Sequence, residues 1–383
     1  MITKRHFAGV AILAAAAITL AGCSSSSGGS TTGTISKAKA ETATSAKAFG
    51  GLKGLIAAAN AEGQLNVITL PPSWANYGKI IALFEKTYPK IKINSANPNG
   101  SSANEVSAAE AQKGESTAPD VFDIGTAVLS ANLDLVAPYK VQNWADIPAD
   151  FKDAGGKWYY DYTGLMSIGY DTTKVKDGPK DYADLLKPAF KGLVSIKGDP
   201  TEANEAASAV YLAALQNGGS ADNIQPGIDF FQKLKAAGNF NNVLPTQATV
   251  SSGETPVVIQ WSFDNIAWGP AAGSTGDANF KTIIPSGSAA LGSYYNQAIN
   301  ADAPDPAAAR LWEEFIYTPA VQNLYLASGA YPATLAAMEK NGTVDKSTLA
   351  TVGAPPSNFT QLTADQATTA AALLAKEWKA AIS

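Results

Sequence analysis

Cysteine and histidine are almost missing from this chain. Each occurs once, at Cys23 and His6, and neither recurs after residue 23. From residue 24 onward that excludes Ser-His and Cys-His nucleophiles, histidine-ligated zinc and switching by imidazole protonation. A lone cysteine also excludes an internal disulfide and a cysteine-based metal cluster. Charge is sparse, with 28 basic and 33 acidic side chains in 383 residues, and no run of lysine or arginine stands out. Such a mildly acidic chain offers nucleic acid no electrostatic footprint. No internal repeat is visible, and no Gly-x-Ser-x-Gly elbow marks a hydrolase.

What is present begins at the N-terminus. Lys4 and Arg5 precede an apolar run from Phe7 to Leu20, followed by Leu20-Ala21-Gly22-Cys23. That run is shorter than the about 20 residues needed to cross a hydrocarbon core of roughly 30 Å, and it reads as a secretory signal over residues 1–22. The Leu-Ala-Gly-Cys string resembles a bacterial lipobox, which implies cleavage before Cys23 and a diacylglyceryl group on its sulfur, hence a membrane anchor. Residues 23–48 are mostly Ser, Gly, Thr, Ala and Lys and are expected to be a flexible tether. Without the signal the net charge is about −7, and the chain is long enough to bury its core without staples.

Beyond Gly50, strand-like and helix-like runs alternate. Leu65 to Leu70 predicts a strand. Tyr77, Ile80, Ile81, Phe84 and Tyr88 recur at helical spacing, and Ile91 opens the next strand. Further strands are expected at 121–124, 164–170, 193–196, 257–260 and 283–284. This alternation predicts an α/β fold with largely parallel sheets, and a body of this length predicts two lobes. Asp199-Pro200-Thr201-Glu202, Asp305-Pro306 and Thr318-Pro319 each read as a helix start, with the cap followed by proline at the first position. A final helix is expected from Ala364 to Ile382.

At this point a resemblance enters. Tyr170 to Val175, Asp184 to Pro188 and Lys191-Gly192 resemble the crossover region of type II periplasmic binding proteins, of the kind serving polyamine, ferric, thiamine and phosphonate importers. Tyr294 to Ile299, Ala303 to Ala309, Trp312 to Ile316 and Gln322 to Pro332 are similar to that family's return strand and following helices. The resemblance covers nearly all of residues 60–335. It implies a two-lobed Venus-flytrap fold, with lobe I at 49–165 and 295–334 and lobe II at 166–294 and 335–383. It further implies a monomer without cofactor that captures a small solute for the permease subunits of an ABC transporter and performs no catalysis.

In open α/β sheets ligands sit beyond the carboxyl ends of strands, near helix N-termini, so candidate residues come from those loops. Ser73 and Trp74 follow the first strand, and Trp74 would serve as an aromatic wall or as lobe packing. Asn99 and Ser101 precede a helix and would bind an anion or cap that helix. Gly125 and Thr126 end the next strand, and Asp199 and Thr201 open the second-lobe helix. Trp261, Ser262 and Asp264 form the richest loop, where an aromatic ring beside a carboxylate could pair with a small amine. Tyr162 and Tyr294 flank the two hinges, and because alternate strand residues face opposite sides, only one of Tyr294 and Tyr295 should reach a ligand. Ferric relatives carry adjacent tyrosines where this chain has Trp261-Ser262-Phe263, so no metal ligand set is evident. A polyamine-like or aminophosphonate-like solute is favoured, with a ferric or other anion receptor, an envelope hydrolase, and a signalling partner or adhesin on the same fold as alternatives.

Overall fold

Runs of β-branched and aromatic residues closed by glycine, proline or asparagine set the strands of this chain. A computed structural model describes residues 35–269, 277–285, 290–353, 355 and 359–383. The signal segment, the Leu-Ala-Gly-Cys string and Cys23 lie outside the described residues. The strands are β1 (Gln64–Ile68), β2 (Lys92–Ala96), β3 (Val121–Gly125), β4 (Val136–Ala137), β5 (Tyr159–Asp171), β6 (Val194–Ile196), β7 (Val257–Trp261), β8 (Phe280–Ile283), β9 (Gly292–Asn300) and β10 (Tyr331–Pro332).

β5 organises both halves. Its first part, from Tyr159 to Leu165, pairs antiparallel with β9. From Met166 onward it pairs antiparallel with β7 on one edge, and from Ile168 with β8 on the other. β9 in turn carries β3 and β4, and β6 lies beside β7. β1 and β2 form a small parallel pair, tied to the start of β3 because the Asp120 carboxylate accepts from the Asn66 amide at 2.7 Å while the Asp120 amide donates to the Asn66 carbonyl at 2.9 Å. A two-lobed α/β fold is therefore present, but its sheets are not largely parallel. Among the described strand pairs only β1–β2 and β6–β7 are parallel. Every strand paired directly with β5 or β9 runs antiparallel to it.

The helices follow their chemistry. Those behind Asp305-Pro306 and Thr318-Pro319 run over Pro306–Ile316 and Pro319–Ser328. Asn204–Gln216 is buried on every side from Glu205 to Ala214, as expected for a helix apolar all round. It begins at Asn204 rather than Pro200, because the Asp199 carboxylate bonds the Thr201 amide and hydroxyl at 2.8 Å each and folds that stretch into a turn.

Two boundaries differ from expectation. Residues 35–48 belong to the folded body and not to a tether. Lys37–Glu41 is helical, and Ala40, Ala43 and Ala46 are buried. The fully buried Arg310 holds this segment, its guanidinium donating to the carbonyls of Ala43 at 2.7 Å, Glu41 at 2.6 Å and Pro306 at 2.9 Å. Burial lowers its pKa to about 10, so the charge survives at neutral pH. Arg310→Met leaves the buried carbonyls of Ala43 and Pro306 without this donor and is expected to cost about 2–3 kcal/mol. Trypsin should then cut at Lys37, Lys39 or Lys47 before the rest of the chain unfolds. Likewise 335–352 does not join lobe II. Leu335, Met338 and Val344 pack with Leu165, Leu326 and Tyr331, beside the first-lobe helix Pro319–Ser328.

The terminal helix Ala364–Ala381 touches both halves. Trp378 sits edge-on to Phe231 at 5.4 Å, within the second half, and Gln366 donates to Asp222 at 2.7 Å. Its Thr368 hydroxyl meets that of Ser130, in the short helix after β3, at 3.4 Å.

Candidate functional site

A cleft of about 800 Å³ opens between β3 and the segments after β1 and β2 on one side and those after β6 and β7 on the other. Its geometry begins with a fault in β5. The register against β9 shifts between Tyr160 and Thr163, a bulge of the kind that re-aims a side chain, and the buried Tyr162 lies within it. The Tyr162 hydroxyl donates to Asp123 Oδ2 at 2.9 Å and accepts from Trp74 Nε1 in a short hydrogen bond. Trp74 is thereby fixed, with its ring edge-on to Phe263 at 5.2 Å and Tyr295 at 5.3 Å.

The first-lobe rim is strained. Thr69, Ala75, Asn76 and Asn97 all hold positive φ, between 39° and 65°, a conformation that costs on the order of 1–3 kcal/mol each and concentrates at functional sites. Gly100 packs closely there: a Cβ would lie 2.4 Å from Asn97 Nδ2 and 2.9 Å from Thr69 Cγ2, so those side chains would have to shift.

Four buried carboxyls line the cleft, two from each lobe. In the first lobe Glu105 accepts from the Thr69 hydroxyl at 2.8 Å and from the Asp123 amide at 3.1 Å. Desolvation, reinforced by the charge of Asp123, pushes Glu105 well above the usual carboxylate range. Asp123 is raised to about 7 by desolvation, against the hydroxyls of Tyr162 and Tyr77, which favour its ionised form. In the second lobe Glu205 accepts from the Trp261 amide at 2.8 Å and is raised first by burial and then by Asp264. Asp264 is raised to about 7 by burial, with Lys197 and a hydrogen bond to Glu205 opposing. Asp123 Oδ1 and Asp264 Oδ2 are buried without a hydrogen-bond partner among the described residues. Lys197 is the sole basic side chain among the described lining residues.

Of the residues expected from the sequence, Ser73, Trp74, Asn99, Ser101, Asp199 and Asp264 line this cleft together. Ser101 is partly engaged at its helix start, where its amide donates to Asn104 Oδ1 at 2.9 Å. The others do not reach it. Gly125 serves close packing between lobes, since a Cβ would sit 2.8 Å from Asn204 Cβ. Thr126 accepts from Asn296 Nδ2 at 3.1 Å, behind the cleft. Thr201 caps its own turn on Asp199. Trp261 is fully buried beneath the floor, stacked on Phe263, and the buried Ser262 hydroxyl accepts from the Leu165 amide at 3.3 Å. Tyr162 acts through Asp123 and Trp74 and has no cleft surface of its own. Tyr294 stacks on Tyr160 at 4.9 Å on the far face of β9, whereas Tyr295 lines the cleft; one of the pair faces the cleft, and it is the other one.

Sequence reasoning missed Glu105, Asp123, Glu205 and Lys197. A signal existed for two of them: Asp123 interrupts the apolar run Val121-Phe122-Asp123-Ile124, and Glu205 opens an alanine-rich helix with no solvent face. A carboxylate in such a place needs a partner or a purpose. Among the described residues no group of three or more His, Cys, Asp or Glu side chains is arranged to hold a metal ion.

Comparison with known proteins agrees with this architecture. A family model described as bacterial extracellular solute-binding protein matches residues 120–354. No curated protein sequence matches. Among solved structures, the periplasmic binding protein AfuA of Actinobacillus pleuropneumoniae, with fructose-6-phosphate bound, aligns at TM-score 0.65 and 18% identity over 83% of this chain and 98% of its own. The apo ferric ion-binding protein A of Pasteurella haemolytica aligns at 0.61 and 19%, over 83% and 98%. The spermidine/putrescine transporter substrate-binding protein PotD of Streptococcus pneumoniae aligns at 0.54 and 14%, over 84% and 99%. At such identities the likeness is one of fold.

Proposed function

The chain belongs to the family of bacterial extracellular solute-binding proteins, which capture small solutes for ABC importers at the cell envelope, and from that premise we propose that its solute carries an ammonium group. One observation carries the reading. Four buried carboxyls and the rings of Trp74, Trp268 and Tyr295 line the cleft, against a single lysine. An ammonium there would be met by carboxylate and aromatic faces, which suit it, whereas a phosphate or carboxylate solute would face buried acids. The cleft's volume lies within the range of small-molecule sites. A small amine without an acidic group fits this description, and delivery to a permease follows from the family. We further propose that the chain is anchored through a lipid on Cys23. Cys23→Ala, released to the medium when expressed in its host, would test the anchor.

A thermal-shift screen of the form lacking residues 1–23, against amines, phosphonates, sugars, amino acids and metal ions, tests the reading. A solute binding only the native state at a hundredfold excess over Kd adds about 2.7 kcal/mol of stability. Stabilisation by amines supports the proposal; stabilisation by anions alone overturns it. Trp74→Ala should weaken the best amine by about 0.5–2 kcal/mol if the ring face meets the cation, read by calorimetry. Unchanged affinity in a folded variant would remove Trp74 from the site.

A further inference from the structure

The two acid pairs are not equivalent, and the difference lies in Lys197. This residue follows β6, and its ammonium stands over the Trp268 ring at 4.5 Å while donating to the Pro245 carbonyl at 3.0 Å. Its charge acts on both Glu205 and Asp264. A ring face, a carbonyl and neighbouring carboxyls are the surroundings an alkylammonium solute would seek, and in the second lobe a tethered lysine already occupies them. The first-lobe pair has no such occupant. Glu105 is satisfied by Thr69 and the Asp123 amide, whereas Asp123 lines the cleft, 6% exposed, with its Oδ1 unpartnered as Asp264 Oδ2 is but without a lysine acting on it.

Resting on the proposal of an amine solute, we infer that Lys197 is a specificity-determining residue: a built-in counter-cation that closes the second-lobe subsite to ligand charge, so that the solute carries one ammonium group, seated at Asp123. A second ammonium on the solute would have to face or displace Lys197, a like-charge juxtaposition that works against binding. Replacing the lysine by an uncharged side chain of similar length vacates that seat and leaves two carboxyls uncompensated.

The test is calorimetric titration of the purified full chain at pH 8 with primary amines and α,ω-diamines of matched chain length. The wild type is expected to take a diamine no more than about threefold tighter than the monoamine, little beyond the statistical advantage of two equivalent ends. Lys197→Met should gain about tenfold or more for the diamine and stay within about threefold for the monoamine, while Lys197→Arg, which keeps the charge, should behave as the wild type. A wild type that prefers the diamine tenfold, or a Met variant that leaves the diamine unchanged or loses both ligands, overturns the inference while leaving the amine reading intact. If no amine binds the wild type, both fall together.

Discussion

Asp123→Asn is expected to lower affinity for an amine solute by about 2–5 kcal/mol, the range for removing one partner of a buried charge pair. That is thirtyfold or more in Kd, at about 1.4 kcal/mol per tenfold. The substitution is close to isosteric, and an asparagine oxygen can still accept from the Tyr162 hydroxyl, so the loss reports charge more than shape. It should also stabilise the empty protein above pH 7, because it removes a carboxylate that would otherwise ionise in a buried site. The combination is diagnostic: weaker binding with higher Tm. A folded variant with undiminished affinity would show that the ammonium sits elsewhere, and one with new affinity for anions would reverse the sign of the cleft.

Acidity should govern this protein in two opposed ways. Asp123 and Asp264 titrate near 7 when folded, against an ordinary value of 3.8. Between about pH 4 and pH 7 the native state therefore holds protons that the unfolded chain has released, and the contribution of these two groups to the stability of the empty receptor falls as pH rises through that window. Thermal unfolding of the ligand-free protein at pH 5 and pH 8 measures it, and the expected result is a lower Tm at pH 8. Affinity for an amine runs the other way. A cation favours ionised carboxylates, so binding should strengthen by up to about tenfold per pH unit for each carboxyl that must lose its proton, reaching a plateau above 7. Proton release on binding, seen as a dependence of the calorimetric heat on buffer, would accompany it. Affinity flat from pH 5.5 to 8 would mean that the carboxyls are not the cation's partners.

Much of the fold was legible in the sequence because its cues are local. The proline after Asp305 and after Thr318 marks a helix start without help from the rest of the chain, and the β-branched runs mark strands. The resemblance supplied the lobes. What failed depended on distant partners. Nothing in Ala40, Ala43 and Ala46 announces burial; Arg310, far along the chain, holds them. Strand alternation shows that Tyr294 and Tyr295 face opposite ways but not which face is which, and pairing with β3 and β5 decides that. The cleft acids carry no loop signature: Asp123 lies inside a strand, and Glu105 and Glu205 lie in first turns of helices. The loop with the most suggestive composition, Trp261 to Asp264, supplied a floor beneath the site and a single lining carboxyl.

β5 has a consequence for how such a chain can vary. Its thirteen residues run through both parts of the eight-stranded sheet, beside β9 and β10 first and β7 and β8 after, with Tyr162 steering two cleft side chains. Loops elsewhere can lengthen at small entropic expense. A single added residue near Gly164 would instead turn Met166 and Ile168, both buried, toward the opposite face while the stretch before it stayed in place. One such insertion would misfit an entire half of the molecule against its other half, so this ribbon cannot change its length without breaking the match between them.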